Sequence, residues 1–137
     1  MAKEVNAGGV LMSYEKLMEK YKGNLKLQFG IECGVGWYKL IDNTLMKIKK
    51  LYPKIEIVQI KEKFGMLRVY TGGIPYKVSR RIQTIIQKAE QTSGIICEQC
   101  GKPGKVCKIN GWYSTLCERH EKQKRAPLLT RIKEVLQ

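Results

Sequence analysis

Two short stretches, Cys97-Glu-Gln-Cys100 and Cys117-Glu-Arg-His120, decide how the C-terminal part of this chain can fold. Each stretch holds two side chains that can ligate a metal, with two residues between them, and sixteen residues separate the two pairs. Three thiolates and one imidazole at this spacing are typical of a closed tetrahedral zinc site. The sequence therefore predicts a zinc ion bound by Cys97, Cys100, Cys117 and His120. Because four protein ligands leave no open position for a substrate, we expect this ion to be structural.

The residues between the two pairs predict a treble-clef unit. Asn110-Gly111 is a strong signal for a tight hairpin turn. The stretch Thr115-Leu-Cys-Glu118 fits a capping box, so a helix should begin at Thr115 and carry Cys117 and His120 on its first turn. A ligand-bearing turn, a hairpin and a ligand-bearing helix form a treble clef, and a zinc ribbon is the alternative.

Other interpretations of the cysteines stay open. Cys97 and Cys100 could be ordinary buried thiols, and Cys107, which lies inside the predicted hairpin, could replace one of the ligands. Cys33 is remote in sequence and is interpreted as a buried small apolar residue. Disulfides would be expected in a secreted chain, but the N-terminus lacks an apolar leader, which favours a metal.

The rest of the chain predicts an α+β fold, in which helices pack on a small antiparallel β-hairpin or sheet. Apolar residues at helical spacing predict helices over residues 10–21, 37–51 and 76–93, with Gly94 ending the last one in the left-handed conformation. Strands are predicted over residues 55–62 and 66–71, joined by a turn at Lys63-Phe64-Gly65, and residues 25–31 form a weak strand or an extended loop. Two further helices are expected over residues 118–125 and 128–136. We divide the chain into a helix and hairpin core, 1–94, and a zinc-binding treble-clef (zinc-ribbon-like) unit, 95–137.

Charge is the second strong signal. The chain has 26 lysines and arginines against 12 acidic residues, a formal net charge of +14. Such a protein attracts polyanions or acidic protein surfaces, although solubility alone is the plainer explanation. No apolar run is long enough to cross a bilayer. We therefore expect a soluble, cytoplasmic protein with no membrane partner.

Basic and aromatic residues on the predicted hairpin and helix form a candidate binding surface. Phe64, Tyr70, Trp112 and Tyr113 are sequence neighbours of basic residues, an arrangement found on surfaces that bind single strands. Phe64 and Trp112 are nevertheless more often core residues, and helix lysines are usually only solvated. The candidate binding residues are Lys61, Lys63, Arg68, Tyr70, Arg80, Arg81 and Lys88.

Catalysis is not expected. The chain has a single histidine, and the predicted zinc site takes it. The acidic candidates Glu32, Asp42, Glu56 and Glu62 are scattered and form no paired pattern that would suit general acid–base chemistry. A metal-dependent nuclease is therefore the least favoured alternative.

Five segments together resemble a widespread, functionally uncharacterised group of small phage, prophage and bacterial proteins. The segments lie at residues 34–41, 58–70, 89–93, 97–101 and 111–117, and the most distinctive string is Lys61-Glu-Lys-Phe-Gly65. The resemblance implies a phage or mobile-element origin and provides no catalytic residues. Small phage proteins of this sort often act by binding to nucleic acid or to a host complex.

The function expected from these observations is binding without catalysis. The first hypothesis is a zinc-containing phage-type protein that docks on a host protein or ribonucleoprotein, such as a CRISPR effector or another defence complex, and inhibits it. The alternative hypothesis is direct binding to DNA or RNA. A host complex and nucleic acid are thus the two candidate partners.

Overall fold

The computed structural model describes residues 4–5, 11–127 and 136. The fold is α+β, as predicted, with a Cys3His cluster in its C-terminal part. In chain order the elements are β1 (Glu4–Val5), β2 (Leu11–Met12), α1 (Glu15–Lys20), β3 (Ile31–Glu32), a 3-10 turn (Val35–Trp37), α2 (Tyr38–Leu51), β4 (Ile57–Lys63), β5 (Met66–Thr71), α3 (Tyr76–Ser93), β6 (Lys105–Ile109), β7 (Trp112–Leu116) and α4 (Glu118–Arg125).

The main core lies between helices α2 and α3 and one face of the central sheet. Apolar side chains of α2 recur every three or four residues, so one stripe of the helix is buried while its lysines face solvent. The stripe packs with Trp37 and with buried side chains of β4, β5 and α3 in one cluster. Its members include Ile41, Leu45, Ile48, Ile60, Leu67, Val69, Ile82, Ile86 and Ala89.

The central sheet has the strand order β3-β4-β5. The predicted antiparallel hairpin is confirmed, with Lys61 opposite Arg68 and Lys63 opposite Met66. Strand β3 adds a short parallel neighbour to β4, placing Glu32 beside Lys61. The weak strand or extended loop predicted over residues 25–31 contains an isolated bridge from Leu25 to Ile57 and reaches β3 only at Ile31. The parallel pairing was not predicted, because two residues carry too little periodicity to be recognised in a sequence.

Helix α3 covers the free edge of β5. The Ser93 hydroxyl accepts a hydrogen bond from the Leu67 backbone N–H at 2.9 Å, and a Glu90 carboxylate oxygen accepts one from the Val69 N–H at 3.2 Å. These bonds satisfy backbone groups that an edge strand would otherwise leave open to another chain.

Several sequence-based boundaries are corrected by the structure. Helix α1 begins at Glu15 rather than at Val10, which lies outside the described residues. Gly94 ends α3 in the right-handed conformation, with φ −69°, so the left-handed prediction was wrong. A methyl group there would lie 3.3 Å from the Gln91 carbonyl oxygen and 3.4 Å from the Met66 side chain, so the site would be only slightly crowded. The helix predicted over 128–136 lies outside the described residues except for Leu136.

The turn before α2 contacts the backbone around the first pair of cysteines. The Gly36 N–H donates a hydrogen bond to the Glu98 carbonyl at 2.7 Å, and the Trp37 indole N–H donates one to the Ile96 carbonyl at 2.8 Å. The backbones approach so closely that a methyl group on Gly36 would lie 2.1 Å from the Cys97 carbonyl oxygen. Gly34 is equally constrained, since its methyl would lie 2.4 Å from the Glu98 carbonyl oxygen.

None of the helices in the described part of the chain has the length and apolar character that crossing a membrane requires.

Replacing Gly36 with alanine should destabilise the protein by at least about 2 kcal/mol, because the new methyl group forces two backbone segments apart. Urea denaturation would measure the change. Gly23→Ala is the matched control, since nothing lies within 4 Å of that methyl position. Its free energy of unfolding should change by less than about 1 kcal/mol. Equal stability of the two variants would show that the contact at Gly36 is not tight.

Candidate metal centre and binding surface

The four predicted ligands come from two places in the fold. Cys97 and Cys100 lie in a turn after α3, which we call the knuckle (residues 97–101). The Cys97 N–H donates to the Lys102 carbonyl at 2.8 Å and the Gly101 N–H donates to the Cys97 carbonyl at 2.9 Å. Gly101 adopts φ +80°, a left-handed conformation that glycine takes at little cost. Cys117 directly precedes α4, and His120 lies in the first turn of that helix.

The ligand atoms converge on one point. All four lie within 4.8 Å of one another. The Sγ atoms of Cys100 and Cys117 are 3.8 Å apart. The Nδ1 atom of His120 lies 3.5 Å from the Cys97 Sγ and 3.2 Å from the Cys117 Sγ. Nδ1 is therefore the imidazole atom that faces the thiols, and the group could hold a metal ion.

The surroundings of Cys117 and His120 shift the pKa values of these two side chains toward the protonation states that bind a metal. Burial works against ionisation of Cys117, but the backbone N–H of His120 and neighbouring donors outweigh it and lower the pKa of the thiol. Burial, together with the charges of Arg119 and Lys102, lowers the pKa of His120 and favours the neutral imidazole that a metal needs. By contrast, burial raises the pKa of Cys100 to about 11, so this thiol must give up its proton when a metal binds.

The predicted capping box is wrong. Thr115 is a residue of β7, and α4 begins at Glu118 after Cys117, without a side-chain cap. The Thr115 hydroxyl instead donates a buried hydrogen bond of 2.6 Å to the Gly65 carbonyl. A residue of the ligand-bearing unit therefore ties it to the turn between β4 and β5. The order of knuckle, hairpin and helix is nevertheless that of the predicted treble clef.

The two remaining cysteines lie outside the ligand group. Cys107 is buried, and its Sγ contacts the Ser114 carbonyl at 3.4 Å. Cys33 lies 3.5 Å from the Tyr14 hydroxyl, and burial raises its pKa to about 12. Cys33 packs against the main core but is only partly buried, so its interpretation as a small apolar residue holds for its contacts and not for full burial.

The candidate binding residues of the hairpin share one surface. Because side chains alternate along a strand, Lys61 and Lys63 point away from the buried Ile60, and the cross-strand register places Tyr70 and Arg68 on the same side. We call this side of β4 and β5 the outer face. Its most constrained member is Arg68, whose guanidinium lies 3.5 Å from the Glu90 carboxylate. The Arg68 guanidinium therefore already pairs with a carboxylate of the protein itself.

The candidate residues on α3 lie elsewhere. The buried stripe of α3 packs against the inner face of the sheet, and α3 runs along the free edge of β5, where Glu90 meets Arg68. Arg80 and Arg81 line a groove between α2 and α3, and Lys88 lines a second groove there with Lys47. The sequence therefore grouped residues that the fold places on two separate surfaces.

Aromatic side chains are more exposed than the sequence suggested. Phe64 is 66% exposed and Trp112 is 76% exposed, so their interpretation as core residues was wrong. Tyr113 is also exposed and stands opposite Lys108 in the β6–β7 hairpin. Sequence reasoning left Lys108 out, although the Asn110-Gly111 turn signals that its neighbours lie near a hairpin tip.

Comparison of the chain with known protein families, with curated proteins and with solved structures finds no match.

Replacing Cys100 with serine should abolish metal binding, because a hydroxyl is a poor fourth ligand beside two thiolates and an imidazole. Elemental analysis of the purified protein would measure the bound metal. Cys107→Ser is the matched control, since Cys107 lies outside the ligand group, and it should keep its metal. Equal metal content in the two variants would contradict the ligand assignment.

Proposed function

We propose that the protein is a non-catalytic nucleic-acid-binding protein whose C-terminal unit is held in place by a structural zinc ion. The observation that carries this proposal is the outer face, where Lys61, Lys63 and the exposed Tyr70 lie together on a strongly basic protein. Lysines beside an exposed aromatic ring combine phosphate attraction with a surface on which a base can stack.

The distances between ligand atoms support zinc. With Zn–S bonds of about 2.3 Å and Zn–N bonds of about 2.0–2.1 Å, a tetrahedron places two sulfurs about 3.8 Å apart and a sulfur and a nitrogen about 3.5 Å apart. The spacing of Cys100 and Cys117 is 3.8 Å and that of Cys97 and His120 is 3.5 Å, which match these values, whereas Cys117 and His120, at 3.2 Å, are closer. Thiolates and imidazoles are also ligands that suit zinc, whereas calcium and magnesium prefer oxygen ligands.

Two observations support a role without catalysis. The proposed zinc has four protein ligands, which leave no position for an activated water. Two of the four acidic candidates have structural partners: Asp42 accepts hydrogen bonds from Lys20 and Tyr21, and Glu62 accepts one from the Gly65 N–H. A carboxylate that holds a turn or a helix pair is poorly placed to act as a general base.

The hypothesis of docking on a host protein or ribonucleoprotein stays a prediction, as does the phage or mobile-element origin implied by the resemblance. Basic surfaces also suit acidic protein partners, but exposed aromatic rings between lysines favour nucleic acid over an acidic patch. A pull-down from a host lysate treated with nuclease separates the two hypotheses, because a protein partner survives that treatment.

Binding of a fluorescently labelled oligonucleotide should weaken steeply as the salt concentration rises. The double variant Lys61→Ala, Lys63→Ala should bind more weakly and reduce the slope of log K against log salt by about 1.4 on a single strand. Fluorescence anisotropy at several salt concentrations would measure both changes.

The matched control is Arg81→Ala, Lys88→Ala, which removes the same charge from α3. We expect its slope to stay close to that of the unmodified protein. If only the α3 variant lowers the slope of log K against log salt, nucleic acid binds at α3 and not at the outer face. If the unmodified protein shows no salt-dependent binding, the proposed function is contradicted.

A further inference from the structure

We infer that the nucleic acid is single-stranded and that its bases stack on Phe64 and Tyr113, so that the binding surface runs from the outer face onto the metal-bearing hairpin. This inference rests on the proposed function and gives it a ligand class and a location.

Phe64 holds a conformation that its side chain does not favour. Phe64 and Gly65 have φ of +55° and +86°, and Asn110 and Gly111 have nearly the same pair, +51° and +83°, in the other hairpin. Such two-residue turns strongly prefer asparagine or glycine at the first position. A bulky residue with positive φ is an outlier, and residues kept in such conformations cluster at functional sites.

Packing inside the protein does not account for this phenylalanine, because two thirds of its side chain is exposed. An exposed ring on a strained turn is best explained by a contact with something outside the chain. The same position in the other hairpin carries asparagine, which suits the turn without offering a ring.

The turn at Phe64 touches the second hairpin. A methyl group on Gly65 would lie 3.0 Å from the Ser114 backbone nitrogen and 3.2 Å from the Tyr113 carbonyl carbon. The Thr115 hydroxyl is bonded to the Gly65 carbonyl, and Tyr113 is on the same face of β7 as Thr115 because side chains alternate along a strand. The backbone of the Phe64–Gly65 turn therefore meets that of Tyr113 at the junction of the two hairpins, and both residues are exposed there.

Each of the two rings has a lysine over it. The Nζ of Lys63 lies 5.6 Å from the centre of the Phe64 ring, and the Nζ of Lys108 lies 5.4 Å from that of Tyr113. These two ammonium groups make the patch complementary in charge to a polyanion.

A single strand fits this patch better than a duplex. Stacking on a protein ring needs a base whose face is free, whereas the bases of a duplex already stack on one another. Tyr70 lies five residues from Gly65 along β5, and at about 3.3 Å per residue it is roughly 17 Å from the turn. The platform is long enough for about four nucleotides, the lower end of the site sizes of small single-strand-binding domains.

The test compares a labelled 12-nucleotide thymidine strand with the duplex that it forms with its complement. The unmodified protein should bind the single strand more tightly than the duplex. Phe64→Asn and Tyr113→Thr should each weaken binding of the single strand by roughly 5- to 100-fold, which is the effect of losing one stacked base. Each variant leaves the lysines in place and suits its local backbone, asparagine the turn and threonine the strand.

Thermal melting controls for folding. Phe64→Asn should keep or raise the melting temperature, by about 3 °C if the strain is relieved. Tyr76→Ala is the matched control, because Tyr76 is 94% exposed at the start of α3, outside the two hairpins in the chain, and binding by this variant should not change.

Duplex binding as tight as single-strand binding, or single-strand binding that neither Phe64→Asn nor Tyr113→Thr weakens, would overturn the inference while leaving the proposed function in place. An equal loss with Tyr76→Ala would also overturn it. If the unmodified protein binds neither probe, the proposed function itself fails.

Discussion

The close contact between the knuckle and the glycine turn before α2 is the constraint on which the rest of the structure depends. The Cys97 carbonyl oxygen lies so close to Gly36 that a residue with a side chain would collide with it. The Gly36 N–H donates a hydrogen bond to the Glu98 carbonyl. Trp37, which is fully buried, extends the contact through its indole N–H to Ile96. Since Cys97 is also a candidate ligand, the metal centre rests directly on the start of α2.

A second tie fixes the orientation of the β6–β7 hairpin. The Glu98 N–H donates to the Thr115 carbonyl at 2.9 Å, while the Thr115 hydroxyl reaches the Gly65 carbonyl. One strand of the hairpin therefore connects the knuckle to the turn between β4 and β5. The candidate ligand Cys117 directly follows β7, so a bound metal would hold the end of the strand whose backbone at Tyr113 and Ser114 lies against the Gly65 turn.

Local patterns predicted those parts that depend on neighbouring residues in the chain. The periodicity of α2, the hairpin of β4 and β5, and the four metal-ligand positions are features of this kind. Thr115 was misassigned because a distant carbonyl, that of Gly65, competes for its hydroxyl. The exposure of Phe64 and the role of Gly36 could not be predicted either, since both follow from how separate segments meet.

The most direct test of the central claim is amide NMR of isotope-labelled protein during addition of a short thymidine strand. Binding of the strand at the junction of the two hairpins predicts that the largest shifts occur at Lys61, Phe64 and Tyr113. Shifts that are largest in α3 around Arg81 and Lys88, or no shifts in any part of the protein, would contradict it.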